Sequence, residues 1–93
     1  TLFRSRDEID DIDAELLQLL ARRMEVSKRI GDYKKLNNVT VVQMDRWKQI
    51  LADHIAVGDS LGLDRELVNA VFEAIHQASI RRQSEILEDG TNQ

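Results

Sequence analysis

The sequence predicts an all-α protein of three helices, two long and one of medium length, on three observations. Apolar residues recur at helical spacing over most of the chain, proline is absent, and the residues that break helices cluster at two joints. Gly58 and Gly62 bracket one joint, and Asn37 with Asn38 marks the other. No two alternating segments flank a hairpin turn, so no sheet is expected. A chain of 93 residues has room for one domain with one modest core.

The first helix is expected to begin near Ser5, leaving residues 1–4 frayed. Ser5 and Glu8 have the spacing of a capping box, and Asp7, Asp10 and Asp11 favour the positive end of the helix dipole. That end effect accounts for the acidic cluster without a metal. The helix should run to about Leu36, where Lys34 and Lys35 suit the negative end. Its length is then about 45 Å, whereas a compact domain of this size has a radius of gyration near ~13 Å. One end must overhang. Reading by sevens, Ile9, Leu16, Arg23 and Ile30 form one line along the helix, and Ile12, Leu19, Val26 and Tyr33 form another. Together they make an inward apolar stripe that continues into the overhang. This predicts an intertwined homodimer in which a second copy covers the exposed end.

The β-branched segment 39–42 has no partner strand and reads as a connecting loop. A second helix is expected over Met44 to Asp59, with Trp47, Ile50, Leu51 and Ile55 inward. The third should start after Asp64, a good N-cap, and end near Leu87, with residues 88–93 frayed. Its inward stripe reads Val68, Val71, Phe72, Ile75, Ser79, Gln83 and Ile86.

Polar residues interrupt these stripes. Arg23 stands where a leucine belongs, and a guanidinium there keeps its proton and is costly to desolvate without a partner. Lys34 falls near Arg23 on the same helix face, Arg46 is in line with Ile50 and Val57, and Ser79 and Gln83 lie one turn apart on the third helix. Each has an ordinary explanation alone: a surface ion pair, a solvated lysine, a serine bonded back to the preceding turn. Jointly they do not, because no acidic residue interrupts the same stripes. Such a core lacks negative charge, and a ligand with carboxylates or phosphates supplies it.

Composition narrows the function further. The net charge of −4 disfavours nucleic acid as a partner, and two Phe, one Trp and one Tyr are too few for a base-stacking platform. There is no cysteine, which removes disulfides and thiolate chemistry. No apolar run reaches membrane-spanning length and nothing resembles a signal peptide, so a cytoplasmic location is expected. The first residue is Thr, as in a chain trimmed from a longer polypeptide. No Gly-rich phosphate loop, zinc-binding His pair or nucleophile elbow is present, and neither a metal nor a cofactor is expected. His54 and His76 are isolated and read as surface or packing residues.

Four stretches resemble the all-helical chorismate mutases of the AroQ class. They are Arg-x-x-Ile-Asp-x-Ile-Asp-x-Glu-Leu-Leu (Arg6 to Leu17), Leu-Leu-Ala-Arg-Arg-Met (Leu19 to Met24), Ile-Gly-x-Tyr-Lys (Ile30 to Lys34) and Ser-Ile-Arg-x-Gln (Ser79 to Gln83). The resemblance implies an intertwined dimer with two equivalent sites, rearranging chorismate to prephenate without cofactor or covalent intermediate. It implies that Arg23, and Arg6 from the other protomer, hold the substrate carboxylates. Lys34 and Gln83 would donate to the ether oxygen, and Arg46 and Ser79 would complete the anion cradle. Many family members carry an acid directly after the helix-two arginine, which receives the ring hydroxyl. Here that position is Trp47, and the acid often found three residues before the arginine is Gln43, so backbone groups near Gln43 are expected to substitute. The run Gln43 to Trp47 also resembles mutase domains fused to the first enzyme of the aromatic pathway. Three other functions stay open on the same residues: pyruvate elimination from isochorismate, a ligand-sensing regulatory module, and a bare helical dimerisation domain.

Overall fold

The computed structural model describes the backbone of residues 1–38 and 44–91 and the side chains of that set up to Ile86. It contains three helices, α1 (Leu2–Asn37), α2 (Met44–Ser60) and α3 (Arg65–Thr91), and no strand among the described residues. The expected loop at residues 39–42 lies outside the described residues.

Thr1, rather than Ser5, caps α1: its hydroxyl accepts from the Arg4 N–H at 3.3 Å. The Ser5 N–H already donates to the Thr1 carbonyl at 3.1 Å, so Ser5 sits inside the first turn. Nothing in Leu2, Phe3 or Arg4 breaks a helix, and a threonine at the head supplies the same cap chemistry one turn earlier. At the other end the joint falls where the asparagines predict. Asn38 takes the left-handed conformation (φ 60°, ψ 37°), and its N–H closes on the Lys34 carbonyl.

The turn between α2 and α3 follows from Gly62, whose φ of 77° suits a residue without a Cβ. The Leu63 N–H donates to the Gly58 carbonyl at 2.9 Å. Asp64 caps α3 through the Leu67 N–H at 3.1 Å, and Arg65 clasps Asp59 across the turn at 2.6 Å. Helix α3 continues to Thr91, past the Leu87 end read from the sequence, because one glycine at position 90 costs a helix only about 1 kcal/mol.

Side chains meet in matched order. Ser27 meets Ser79 and Gly31 faces Gln83, so α1 and α3 run parallel. Gly58 faces Val68, His54 meets Phe72 and Trp47 meets His76, so α2 returns antiparallel to α3. A Cβ on Gly58 would lie 2.7 Å from Val68 Cγ2, which explains a glycine there: the helices approach too closely for any side chain.

The shape is a rod of 57 × 27 × 15 Å with a radius of gyration of 16.6 Å. One correction follows for α1. Ile9, Ile12, Leu16 and Leu19, read as inward, are 51–56% exposed in the protomer, Val26, Ile30 and Tyr33, also read as inward, are 42–62% exposed, and of α1 only Ser27 and Gly31 are buried. Arg23, read as enclosed, is also exposed in the single protomer. The reason is that, among the described residues, α3 is the one helix packed on α1, and it covers only one side of α1's C-terminal half. Val71 of α3 is likewise 43% exposed, whereas Val68, Ser79, Gln83 and Ile86 are buried as expected.

Candidate anion-binding site

Helices α1 and α2 both lean on α3 but do not pack on each other. The gap between them is a cavity of about 430 Å³, within the range of small-molecule sites. Each wall is one face of a helix. From α1 come Arg23, Ser27, Ile30 and Lys34, spaced by four, three and four residues. From α3 come His76, Ser79, Ile80 and Gln83, and from α2 come Arg46, Trp47 and Ile50. Among the described residues of this lining three side chains are cations and none is a carboxylate.

The polar groups are held in place by one another. Arg23 Nη1 donates to Ser79 Oγ at 3.0 Å, and the Ser27 hydroxyl donates to the same oxygen at 2.9 Å. Ser27, Ser79 and Gln83 are 5%, 7% and 7% exposed. Gln83 Oε1 is buried and finds no hydrogen-bond partner among the described residues. A buried polar atom in that state is uncommon in a folded protein. The ion pairs Arg65–Asp59 and Arg82–Glu85 do not involve Arg23. Arg23 therefore rests on a hydroxyl rather than a carboxylate.

Burial, and then the nearby positive charge of Arg46, lower the pKa of Lys34 from its ordinary 10.5. Two cations face one space, and the charge of Arg46 makes Lys34 harder to keep protonated. His76 lies in the same wall, its ring stacked on Trp47 with centroids 3.8 Å apart and planes 4° from parallel. Burial lowers its pKa from 6.5; Glu73 opposes that shift and Arg23 adds to it. At neutral pH His76 is therefore an uncharged ring among cations.

Six residues singled out in the sequence thus converge on one cavity: Arg23, Lys34, Arg46, Trp47, Ser79 and Gln83. Arg6 does not join them. It lies about 25 Å from Arg23 along α1, on the exposed N-terminal half. Gln43 lies outside the described residues. His54 packs against Phe72, as expected of a packing residue. Two lining residues were missed. Ser27 follows Arg23 by four residues, and His76 precedes Ser79 and Gln83 by three and seven, so helical spacing placed both on the site face. Their polarity at those positions was the available signal.

A cavity whose described lining is cations, neutral donors and apolar groups suits a small polyanion and can stabilise negative charge that grows on it. Among the described residues no group of three or more His, Cys, Asp or Glu side chains could hold a metal ion, and no helix is long and apolar enough to cross a membrane. Fold and cavity together define an all-helical protein with a cationic cavity of small-molecule size between its helices. The family described as chorismate mutase type II matches residues 5–84, and the chain belongs to that family. The bifunctional chorismate mutase/prephenate dehydratase of Escherichia coli (strain K12) is 31% identical over 91 residues, covering 98% of this chain and 24% of that protein. A 4-amino-4-deoxychorismate mutase of Streptomyces pristinaespiralis is 28% identical over 85 residues, covering 91% of this chain and 66% of that protein. A T-protein of Enterobacter agglomerans is 30% identical over 74 residues, covering 80% of this chain and 20% of that protein. The chain spans about a quarter of the length of the bifunctional relatives it matches.

Proposed function

We propose that this domain rearranges chorismate to prephenate. The observation that carries the reading is the cavity lining: Arg23, Lys34 and Arg46, from two helices, converge on one space with Ser79 and Gln83 of a third. Chorismate brings two carboxylates. Its rearrangement is unimolecular: the ether carbon–oxygen bond breaks as a carbon–carbon bond forms, and no proton or electron enters or leaves. What the site must do is fold the flexible enolpyruvyl arm over the ring and meet the charge that grows on the ether oxygen.

Arg23 and Ser79 hold one carboxylate, with Arg46 completing the cradle. Holding both ends of the substrate supplies part of the roughly 7–11 kcal/mol that good orientation makes available. Lys34 and Gln83 donate to the ether oxygen. Both interactions strengthen as the carbon–oxygen bond stretches, which is the condition for raising kcat. Family membership favours this chemistry over a bare dimerisation role. Trp47 and neutral His76 form the wall that would face the ring.

The second carboxylate falls to Arg6 of a second copy. Two features of the protomer support a homodimer: the exposed apolar stripe on the N-terminal half of α1, and a buried apolar core that among the described residues comprises only Val68 and Ile86. Fusion to another enzyme of aromatic biosynthesis is in keeping with the names of the bifunctional relatives.

The test of the reaction is loss of chorismate's ultraviolet absorbance on adding purified protein, with prephenate as the product by chromatography. No acceleration over buffer defeats the proposal, and salicylate as product would point to pyruvate elimination instead. The dimer is tested by mixing an Arg6→Ala chain with an Arg23→Ala chain. Random pairing restores one intact site per mixed dimer, about a quarter of wild-type activity. A site built within one chain shows no rescue.

A further inference from the structure

Ser27 was not among the residues the sequence singled out, and the chemistry proposed above does not use it. It is nonetheless buried (5% exposed), lines the cavity, and has its hydroxyl 2.9 Å from Ser79 Oγ. We infer that Ser27 is a positioning residue: it fixes the direction of the Ser79 hydroxyl, so that Ser79 gives its proton to the substrate carboxylate. This rests on the reading of the cavity as an anion site.

A serine oxygen has two lone pairs and one hydrogen. The Arg23 guanidinium can only donate, so its contact at 3.0 Å occupies one lone pair of Ser79. The Ser27 hydroxyl donates into the other. With both lone pairs taken, the one thing Ser79 has left to offer is its own hydrogen, and Ser79 lines the cavity. A hydroxyl that accepts from a guanidinium is also a stronger donor, because linked hydrogen bonds polarise one another. Ser27 and Arg23 together therefore turn Ser79 from a residue that could accept or donate into a dedicated donor. An anion needs donors only. Without Ser27, Ser79 regains a free lone pair, and its hydrogen is free to bond the carbonyl one turn earlier in α3.

A hydroxyl pair can also run the other way, with Ser79 donating to Ser27. The two arrangements predict opposite signs. If Ser27 holds the Ser79 proton in the substrate's direction, Ser27→Ala weakens binding. If Ser27 takes that proton, Ser27→Ala releases it and binding tightens.

The experiment measures chorismate kinetics, and the prephenate dissociation constant by calorimetry, for wild type, Ser27→Ala, Ser79→Ala and the double variant. Ser27→Ala is expected to raise KM and the prephenate dissociation constant about two- to tenfold, the range of one neutral hydrogen bond, with kcat little changed. In the Ser79→Ala background the same change has no further effect, since Ser27 acts through Ser79. Ser27→Thr, which keeps the hydroxyl, retains wild-type affinity, whereas Ser27→Val, of matching size, does not; this pair also serves if alanine disturbs folding. Tighter binding in Ser27→Ala, equal losses in the two backgrounds, or equal behaviour of the Thr and Val variants overturns the inference. A wild type that binds prephenate with this coupling but does not turn over chorismate upholds Ser27 and defeats the mutase reading. A wild type that neither binds nor turns over defeats both.

Discussion

Gly31 links packing to rate. A Cβ placed there would lie 3.1 Å from Ile86 Cδ1 and 3.2 Å from both Cα and Cγ of Gln83. Ordinary carbon contacts need about 3.5–4.0 Å, so Gly31→Ala forces α1 and α3 apart by roughly 0.3–0.5 Å at this point. Two of the three opposing atoms belong to Gln83, and one of those is backbone, so the amide cannot swing aside without moving its helix. The stability effect is small because two terms oppose. Overpacking costs about 1–3 kcal/mol, while alanine is favoured over glycine inside a helix by about 1 kcal/mol. The rate effect is larger relative to its cause. A misplacement of about 1 Å can lower a rate ~100-fold, so a shift of a few tenths of an ångström should lower kcat about three- to tenfold. Gly58→Ala is the control. Its Cβ would meet the stiff, branched Val68 at 2.7 Å, far from the cavity lining, and should cost about 1–3 kcal/mol of stability with kcat of the folded protein unchanged. Chorismate turnover at saturation and chemical denaturation, at one protein concentration, separate the two variants. Full kcat in Gly31→Ala, or equal kcat losses in both, would refute the claim that α1 sets the Gln83 position.

Arg23→Ala should abolish measurable turnover while circular dichroism shows the helices intact, because Arg23 bonds only a hydroxyl and is exposed in the protomer; an unfolded variant would reveal a structural role instead. The pH profile follows from Lys34, whose pKa lies below 10.5. In the free protein the charged form is lost as pH rises through that lowered value, so kcat/KM falls on the alkaline side earlier than for an ordinary lysine. Bound dianion restores the pKa, so kcat falls at higher pH than kcat/KM does. Gln83 carries no titrating proton, and a steep loss of kcat between roughly pH 6 and 8 would contradict its role. The cavity lining also predicts discrimination. The amino group of 4-amino-4-deoxychorismate is an ammonium at neutral pH, and among the described residues no lining carboxylate meets it. Chorismate should be the better substrate, by competition of the two in one assay; equal kcat/KM values would contradict this.

The helices and both joints were legible in the sequence because their causes are local. Helical spacing, absent proline, Asn38 and Gly62 in left-handed geometry and the Asp64 cap each act within a few residues. The α1 start was misplaced because two competent caps, Thr1 and Ser5, lie one turn apart and local rules do not rank them. Five residues of the cavity lining (Arg23, Lys34, Arg46, Ser79 and Gln83) were legible as polar breaks in apolar stripes, and Trp47 came from the family resemblance. Their direction of exposure was not: a stripe says that a face seeks cover, not which chain supplies it. Hence Ile9 and Leu16 read as core and prove exposed in the protomer.

What the sequence determined by itself is the set of faces, since the spacing of side chains around a helix follows from its pitch alone. What only the tertiary structure decided is how those faces meet: α1 parallel to α3, α2 returning antiparallel, and a gap between α1 and α2 where cations from both helices converge. The Arg23–Ser79–Ser27 contact and the Trp47–His76 stack depend on distances between residues far apart in the chain. Such distances are set by how closely two helices approach, and at Gly31 and Gly58 that approach is limited by atoms on the opposite helix.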